Sequence, residues 1–206
     1  RNAPVDSMGC ASSFDETLIK EEESSESTSE EKNVEKNLTN NENKKIMRFQ
    51  VLLSLVLSSQ TKDQITYQAM SKLKEHGCTI ANLLNTTEEK ISELIYPVGF
   101  YKRKATYIKK ICKVLQDEYN NDIPDTIEGL VKLPGVGPKM AHLTMSNAWN
   151  NTVGIGVDTH VHRIANRLQW VDTKTPEQTR IELESFIPSE YWLELNVLLV
   201  GFGQTI

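Results

Sequence analysis

The chain has 206 residues, a formal net charge of −5 and a hydrophobic content of 38%. This length provides one domain or two small ones, with enough residues to bury a substantial core. Residues 1–45 hold six Lys/Arg against eleven Asp/Glu, so they account for the whole net charge and leave residues 46–206 neutral. The overall charge therefore gives no support for a nucleic-acid partner. The longest apolar run, Val51 to Leu57, is far below the ~18 residues of a membrane span, so we expect no membrane partner.

The front of the chain differs in composition from the rest. Residues 1–14 form a short lead, and residues 15–45 are rich in Ser and Glu, with no aromatic residue and no sustained apolar periodicity. Such a segment cannot bury enough apolar surface to form a core. We predict that residues 15–45 are disordered and carry no motif for the activity.

From Ile46 onward the apolar pattern is helical nearly throughout. The first run ends at Ser58-Ser59-Gln60, and Thr86 with Glu89 forms a capping-box pattern. Further helices are predicted over residues 102–119, 126–132, 139–149 and 190–200, with caps at Asp158 and Thr175. About ten helices and no strands follow from these signals, so we predict an all-α fold.

Lys139 lies where a helix should begin, directly behind the turn Leu133–Pro138. A helix N-terminus carries a partial positive potential and unpaired N–H groups, so it favours anions and disfavours an ammonium. That potential favours the neutral amine, whose exposed lone pair is nucleophilic. The turn's glycines, Gly135 and Gly137, can take positive φ and direct backbone N–H groups at a phosphate. The segment therefore suggests chemistry on nucleic acid.

Asp158 is predicted to cap the next helix, because Val161, Ile164 and Leu168 follow it at helical spacing. A carboxylate held by first-turn N–H groups should stay ionised at neutral pH, so it is a poor base. It is well suited to stabilise positive charge that develops on a sugar. Taken alone, Asp158 is explained as a cap and Lys139 as a surface lysine.

Six basic residues are clustered on the helix predicted over residues 102–119: Lys102, Arg103, Lys104, Lys109, Lys110 and Lys113. A local basic surface of this kind is typical of DNA-binding proteins. A solvated helix face explains the cluster equally well, and both readings stay open.

Several short segments carry a combined signal that none carries alone: Leu57–Asp63, Tyr96–Tyr101, Leu133–Lys139, Val157–His160 and Gly201–Gln204. In this order they resemble the endonuclease III family of helix-hairpin-helix DNA glycosylases, in its eukaryotic branch. The resemblance runs from about residue 46 to residue 206, and the start Arg1–Asp6 is similar to that branch as well. It implies a helix-hairpin-helix/GPD glycosylase fold over 46–206, with two helical subdomains and the active-site cleft between them.

The resemblance also implies the activity. It predicts a bifunctional DNA glycosylase and abasic-site lyase that removes oxidised pyrimidines from duplex DNA in base excision repair. Lys139 would attack C1′ of the deoxyribose, expel the base and cleave the strand by β-elimination through a Schiff base. Asp158 would stabilise positive charge on the sugar during base loss.

DNA-binding residues are implied in the same way. Gln60 carries both a donor and an acceptor for the base orphaned by flipping. Phe100 is a candidate apolar wedge, by analogy with side chains that intercalate between bases. Four further residues are assigned to DNA binding: Gly135, Val136, Gly137 and His160.

In the resembled family, a segment like Gly201–Gln204 leads into a loop whose four cysteines hold a 4Fe–4S cluster. The three cysteines of this sequence, Cys10, Cys78 and Cys112, match no cluster ligand, and their spacing fits no iron–sulfur pattern. We therefore expect no metal site within these residues, and a cluster only if the protein continues past Ile206.

Two alternatives remain open at this stage. In a monofunctional glycosylase, water activated by Asp158 would displace the base, although the amine of Lys139 argues against that route. The second is a catalytically impaired or non-catalytic DNA-binding form that lacks the cluster loop. For the bifunctional enzyme we expect a monomer acting on damaged double-stranded DNA, in the nucleus and also in the mitochondrion.

Overall fold

A computed structural model describes residues 30–205, with side chains from residue 39 onward except at 196, 197, 200 and 203–205. Within this range all regular structure is helical, which confirms the all-α prediction. No helix in the described range is long and apolar enough to cross a membrane. The helices are α1 (Glu30–Ser58), α2 (Asp63–His76), α3 (Ile80–Asn85), α4 (Glu88–Ile95), α5 (Tyr101–Glu118), α6 (Ile127–Lys132), α7 (Pro138–Trp149), α8 (Thr159–Arg167), α9 (Pro176–Phe186), a 3₁₀ turn (Ser189–Tyr191) and α10 (Trp192–Thr205).

Helix α1 is a single helix of 29 residues that begins at Glu30. The prediction of disorder is therefore wrong for residues 30–45, while residues 1–29 lie outside the described residues. Composition measures whether a segment can form a core of its own. It does not measure whether the segment can extend a helix that is already packed, where each added residue gains one hydrogen bond. Lys45 shows that the extension also makes tertiary contacts, because its Nζ donates to Asn120 O at 3.1 Å.

The buried apolar residues fall into two clusters. The first runs from Phe49 to Ala148 and is built on α1, whose residues 49–57 are nearly all buried. The second runs from Ile155 to Leu199 and joins α8, α9 and α10. Lys139 lies on α7, which belongs to the first cluster, and Asp158 lies at the start of α8, in the second. The chain therefore has the two helical units that the sequence predicts.

Capping signals place most helix starts correctly, with one error. Asp158 and Thr175 cap α8 and α9 as predicted. Helix α4 is capped by Thr87, whose Oγ1 accepts from Lys90 N at 3.2 Å, and not by Thr86. The Thr86 hydroxyl instead donates to Asn82 O at 2.8 Å and closes the end of α3. Adjacent threonines fit the same sequence pattern, so only the geometry separates them.

Arg48 fixes α1 against the end of α7. Its guanidinium makes a two-point ion pair with Asp122, with Nε–Oδ1 at 3.0 Å and Nη2–Oδ2 at 2.5 Å. The same guanidinium lies 4.2 Å from the centroid of the Trp149 ring. Trp149 Nε1 in turn donates to Pro124 O at 3.0 Å. These contacts hold the C-terminal end of the helix that carries Lys139.

We predict that Arg48→Met lowers the free energy of unfolding by about 2 kcal/mol, because Asp122 then remains mostly buried without its charged partner. Urea denaturation measures the loss. The control is Lys113→Met, which breaks an exposed ion pair with Asp117 and should cost less than about 0.5 kcal/mol. Equal losses in the two variants would contradict the anchoring role of Arg48.

Candidate active site

The structure brings the two predicted catalytic residues into direct contact. Lys139 Nζ lies 2.8 Å from Asp158 Oδ2, although nineteen positions separate them in the chain. Lys139 is in the first turn of α7, and Asp158 is the N-cap of α8. The other carboxylate oxygen of Asp158 accepts from Val161 N at 2.8 Å. The carboxylate therefore caps one helix and holds the lysine of another.

Electrostatics keep Asp158 ionised. Burial alone would raise its pKa, but the Lys139 charge and hydrogen bond, the Val161 N–H and the nearby His160 outweigh burial and lower the pKa below its ordinary value. The ionised carboxylate lies at hydrogen-bond distance from Lys139 Nζ and forms an ion pair with it. Lys139 is 38% exposed, against 15% for Asp158. The amine therefore faces solvent and must lose a proton before it can attack.

The sign of this pKa shift sets how acid affects the pair. Because the pKa of Asp158 is lowered on folding, the stabilisation from the pair is present above the unfolded pKa of about 3.9. It is lost as the pH falls through the lower, folded value. The pair is thus intact throughout the neutral range.

A cavity of about 290 Å³ adjoins the pair, between α7 and the start of α9. Its apolar wall includes Ile155 and Val157, and its polar groups include Lys139, His142 and Arg180. Arg180 is neutralised by Glu177 and Glu184, at 2.6 and 2.5 Å. Burial, followed by the charge of Arg180, lowers the pKa of His142, so its imidazole is neutral.

Sequence reasoning missed His142 and Arg180. No motif includes Arg180, which lies far along the chain from the hairpin. His142, however, follows Lys139 by three positions, so the two share one face of a helix. That spacing could have identified it.

The hairpin between α6 and α7 forms as predicted, but its two glycines differ in backbone conformation and in surroundings. Gly135 has φ +82°, and a Cβ there would lie 2.5 Å from Cδ2 of Tyr107. Gly137 has φ −101°, so only one of the two glycines takes the predicted positive φ. Gly137 is the N-cap of α7 and provides no side-chain cap. A Cβ on Gly137 would meet open space. The start of α7 is thus accessible to an anion.

The backbone N–H and the side chain of Val136 both make contacts inside the protein. Its N–H donates to Leu133 O at 3.1 Å, and its side chain is buried in the first cluster. Val136 thus closes the turn and fills the core, and its contact with DNA stays a prediction. A motif marks the turn but does not reveal which of its N–H groups point inward.

Gln60 and Phe100 lie on two neighbouring turns. Gln60 is exposed and has φ 52°, just after α1 ends. Phe100 has φ 57° and is 65% exposed, at the N-cap of α5. No hydrogen bond or ion pair of the described residues links either side chain to Lys139 or Asp158. They form a second part of the surface, separate from the ion pair.

His160 is half-buried in the first turn of α8, beside Asp158. Within the described part of the chain, no hydrogen-bond partner meets its Nδ1. Its charge contributes to the lowered pKa of Asp158. His160 is therefore placed beside the ion pair, and its contact with DNA stays a prediction.

The basic cluster on α5 is neither a continuous DNA footprint nor a uniformly solvated face. Lys104 is only 5% exposed, and its Nζ donates to the carbonyls of Leu57 and Ser59. Lys109 donates to carbonyls at the end of α3, including Leu84 O at 2.6 Å. Both lysines therefore close helix ends inside the protein. The other four residues, Lys102, Arg103, Lys110 and Lys113, are exposed.

The described residues do not fit an iron–sulfur cluster. No group of three or more His, Cys, Asp or Glu side chains among them could hold a metal ion. Cys78 and Cys112 are both buried in the first cluster, and burial raises the pKa of each to about 12, so neither is a thiolate. Cys10 lies outside the described residues.

Comparison with known proteins gives the family. Residues 53–189 match the model of the HhH-GPD superfamily base excision DNA repair proteins. Endonuclease III-like protein 1 of Gallus gallus is 53% identical over 206 residues, which cover 99% of this chain and 65% of that protein. The Encephalitozoon cuniculi endonuclease III homolog is 47% identical over 172 residues, covering 77% of this chain and 71% of that protein.

Among solved structures, a trapped endonuclease III–DNA covalent intermediate is 32% identical and superposes with a TM-score of 0.72. The match covers 75% of this chain and 73% of that one. The chain therefore belongs to the endonuclease III family of the HhH-GPD superfamily. It spans 65% of the length of the Gallus gallus relative.

The two hairpin glycines should respond differently to the same substitution. We predict that Gly135→Ala lowers the free energy of unfolding by about 2 kcal/mol, because alanine is strained at positive φ and its Cβ meets the Tyr107 ring. Gly137→Ala should change it by less than about 0.5 kcal/mol, since its Cβ enters open space. Urea unfolding of both variants is the measurement. A Gly137→Ala loss equal to that of Gly135→Ala would show that this hairpin geometry is incorrect.

Proposed function

We propose that this protein is a bifunctional DNA glycosylase and abasic-site lyase that removes oxidised pyrimidines from duplex DNA in base excision repair. The single observation that carries the proposal is the contact between Lys139 and Asp158 at 2.8 Å, at the helix N-terminus that follows a helix-hairpin-helix turn. A nucleophilic amine, a fixed carboxylate and an accessible helix end together suit attack on a sugar joined to phosphate.

The reaction begins with proton loss from the Lys139 ammonium to solvent. The Nζ lone pair then forms a bond to C1′ while the glycosidic bond breaks. The electron pair of the glycosidic bond leaves with the base, which takes up a proton. Asp158, ionised and fixed by α8, stabilises the positive charge that develops on the sugar. Its lowered pKa suits this electrostatic role better than that of a general base.

Strand cleavage follows from the same covalent adduct. Nζ loses a proton, and its lone pair then forms the C1′=N bond while the C1′–O4′ bond breaks and O4′ takes up a proton. The resulting iminium ion acidifies the proton on C2′. Loss of that proton to solvent and departure of the 3′ phosphate complete the β-elimination. Hydrolysis of the imine then returns Lys139 to its free form.

DNA is the partner that the surface supports best. The uncapped start of α7, next to the exposed Gly135, offers backbone N–H groups to a phosphate without reading sequence. Gln60 and Phe100 are both exposed. When the damaged nucleotide is extruded, Gln60 is suited to fill the gap that it leaves, and Phe100 is suited to wedge open the base stack. The cavity of about 290 Å³ beside Lys139 leaves room for groups of the extruded nucleotide.

The remaining expectations belong to the same proposal. The protein acts as a monomer, in the nucleus and also in the mitochondrion. A 4Fe–4S cluster would require four cysteine thiolates from residues that follow Ile206, because the cysteines described here are core residues.

Two substitutions in the full-length protein test the mechanism. Lys139→Gln removes the amine and should abolish both borohydride trapping on lesion DNA and strand cleavage. Asp158→Asn removes the charge but keeps a good helix cap. It should slow base excision by about 10²-fold or more, while trapping on a preformed abasic site persists because Lys139 remains. Single-turnover excision, trapping and binding assays on both substrates give these values.

The alternatives give different results in the same assays. Excision without any trapped adduct in the wild-type protein would show that water displaces the base, as in a monofunctional glycosylase. Lesion binding without excision would indicate a DNA-binding form alone. Adduct formation by Lys139→Gln at the wild-type rate would identify another amine as the nucleophile.

A further inference from the structure

Two exposed turns have the same unusual backbone. Gln60 and Phe100 both have positive φ, at 52° and 57°, although neither is a glycine. This left-handed conformation costs a non-glycine residue about 1 kcal/mol or more. Strain of this kind persists only where the surrounding structure enforces it. At Gln60 and Phe100 the positive φ is enforced by contacts with other residues of the same chain.

The two turns are joined directly through Thr61 and Gly99. Gly99 N donates to Thr61 Oγ1 at 3.1 Å, and Thr61 Oγ1 also donates to Ser59 O at 3.2 Å. A Cβ on Gly99 would lie 2.5 Å from the backbone oxygen of Gln60. Glycine is therefore required at this position so that the two turns can approach each other.

The Lys104 side chain also joins the Gln60 and Phe100 turns. Its Nζ donates to Leu57 O at 2.8 Å, Ser59 O at 2.6 Å and Thr61 Oγ1 at 3.2 Å. These acceptors surround the C-terminal end of α1, where carbonyl groups are left unpaired and a positive charge is favourable. Lys104 lies on α5, four residues after Phe100. One side chain thus connects the helix behind the Phe100 turn to the Gln60 turn.

This arrangement is costly for stability. The ammonium is buried, its three acceptors are all neutral oxygens, and burial lowers the pKa of Lys104 to about 8. An apolar side chain would avoid the loss of hydration that an ammonium suffers on burial. The benefit is geometric, because three directed hydrogen bonds fix the turns more tightly than apolar contacts do.

We propose that Lys104, Thr61 and Gly99 form a clamp that holds the Gln60 and Phe100 turns as one rigid two-pronged element for opening the base stack. The clamp rests on the proposed function, since a damaged base must be extruded from duplex DNA before Lys139 can act. Lys104 is a positioning residue, because it contacts neither Lys139 nor Asp158. Its effect is transmitted through the backbone of residues 57–61.

The chain offers a matched control for Lys104 on the same helix. Lys109 Nζ also donates to three neutral oxygens, here the carbonyls Leu83 O, Leu84 O and Thr86 O, at 3.3, 2.6 and 2.8 Å. It closes the end of α3 and makes no contact with the clamp residues. Lys104→Met and Lys109→Met therefore remove the same chemistry from two places. Thr61→Val and Gly99→Ala disturb the clamp without touching a charge.

Three readouts on the full-length protein separate positioning from simple stability. The first is single-turnover excision of thymine glycol from a duplex. The second is cleavage of a preformed abasic site, where no base has to be extruded. The third is the fluorescence of 2-aminopurine placed opposite thymine glycol, which rises when that base is unstacked. Urea unfolding is measured for each variant.

We expect Lys104→Met to slow excision by about 10- to 10²-fold and to reduce the 2-aminopurine signal, while abasic-site cleavage falls less than about threefold. Lys109→Met should leave all three close to wild type despite a similar loss of stability. Wild-type excision and fluorescence in Lys104→Met, or equal losses in Lys109→Met, would overturn the clamp. If Lys104→Met does not fold, Thr61→Val and Gly99→Ala decide in the same assays.

These outcomes also separate the clamp from the proposed function. A wild-type protein that raises 2-aminopurine fluorescence but excises nothing would contradict the glycosylase activity. The clamp would still stand if its variants lost that fluorescence. A wild-type protein that excises normally, with clamp variants that do the same, would leave the activity intact and remove the clamp.

Discussion

The ion pair between Lys139 and Asp158 is the constraint on which the site depends. Two helix N-termini meet at this point, and both carry positive potential that disfavours an ammonium. Asp158 resolves the conflict because its two oxygens act separately, one on Val161 N and one on Lys139 Nζ, each at 2.8 Å. The carboxylate thus links α8, packed in the second apolar cluster, to α7 in the first. A lysine alone could not be held there, which is why the pair and not the hairpin motif defines the site.

Helix α5 organises the rest of the surface attributed to DNA. Phe100 caps its start, Lys104 reaches back to the Gln60 turn, and Tyr107 packs against Gly135 in the hairpin. These residues occur at spacings of three and four, so they lie along one side of the helix. The stripe of apolar residues on α5 is buried in the first cluster, which fixes the helix itself. Three turns far apart in sequence are therefore positioned by a single rigid element.

Sequence patterns predicted the fold well because helical periodicity and caps are local signals. They failed where the outcome depends on tertiary neighbours, as at Thr86, beside the true cap Thr87. Disorder predicted through residue 45 failed for the same reason, since α1 extends from a packed segment. Lys104 had a readable signal, because it precedes Ile108 by four positions on the apolar face of α5. Because other basic residues surround Lys104 in the sequence, its position on the apolar face was not recognised.

Several departures from local preference lie close together, while the other non-glycine residues at positive φ, Asn120, Asn121, Asn150 and Gln169, simply follow the ends of α5, α7 and α8. The ammonium at a helix N-terminus, the positive φ of Gln60 and Phe100, and a buried lysine without a carboxylate partner each oppose what the local sequence would favour. Each lies in the ion pair or in the turns joined to α5, while the helices elsewhere begin with ordinary threonine caps. Structural stability alone would select against such features. The combination of three different kinds of departure on one surface is therefore a physical argument that this surface, and not the core beneath it, is where the protein acts.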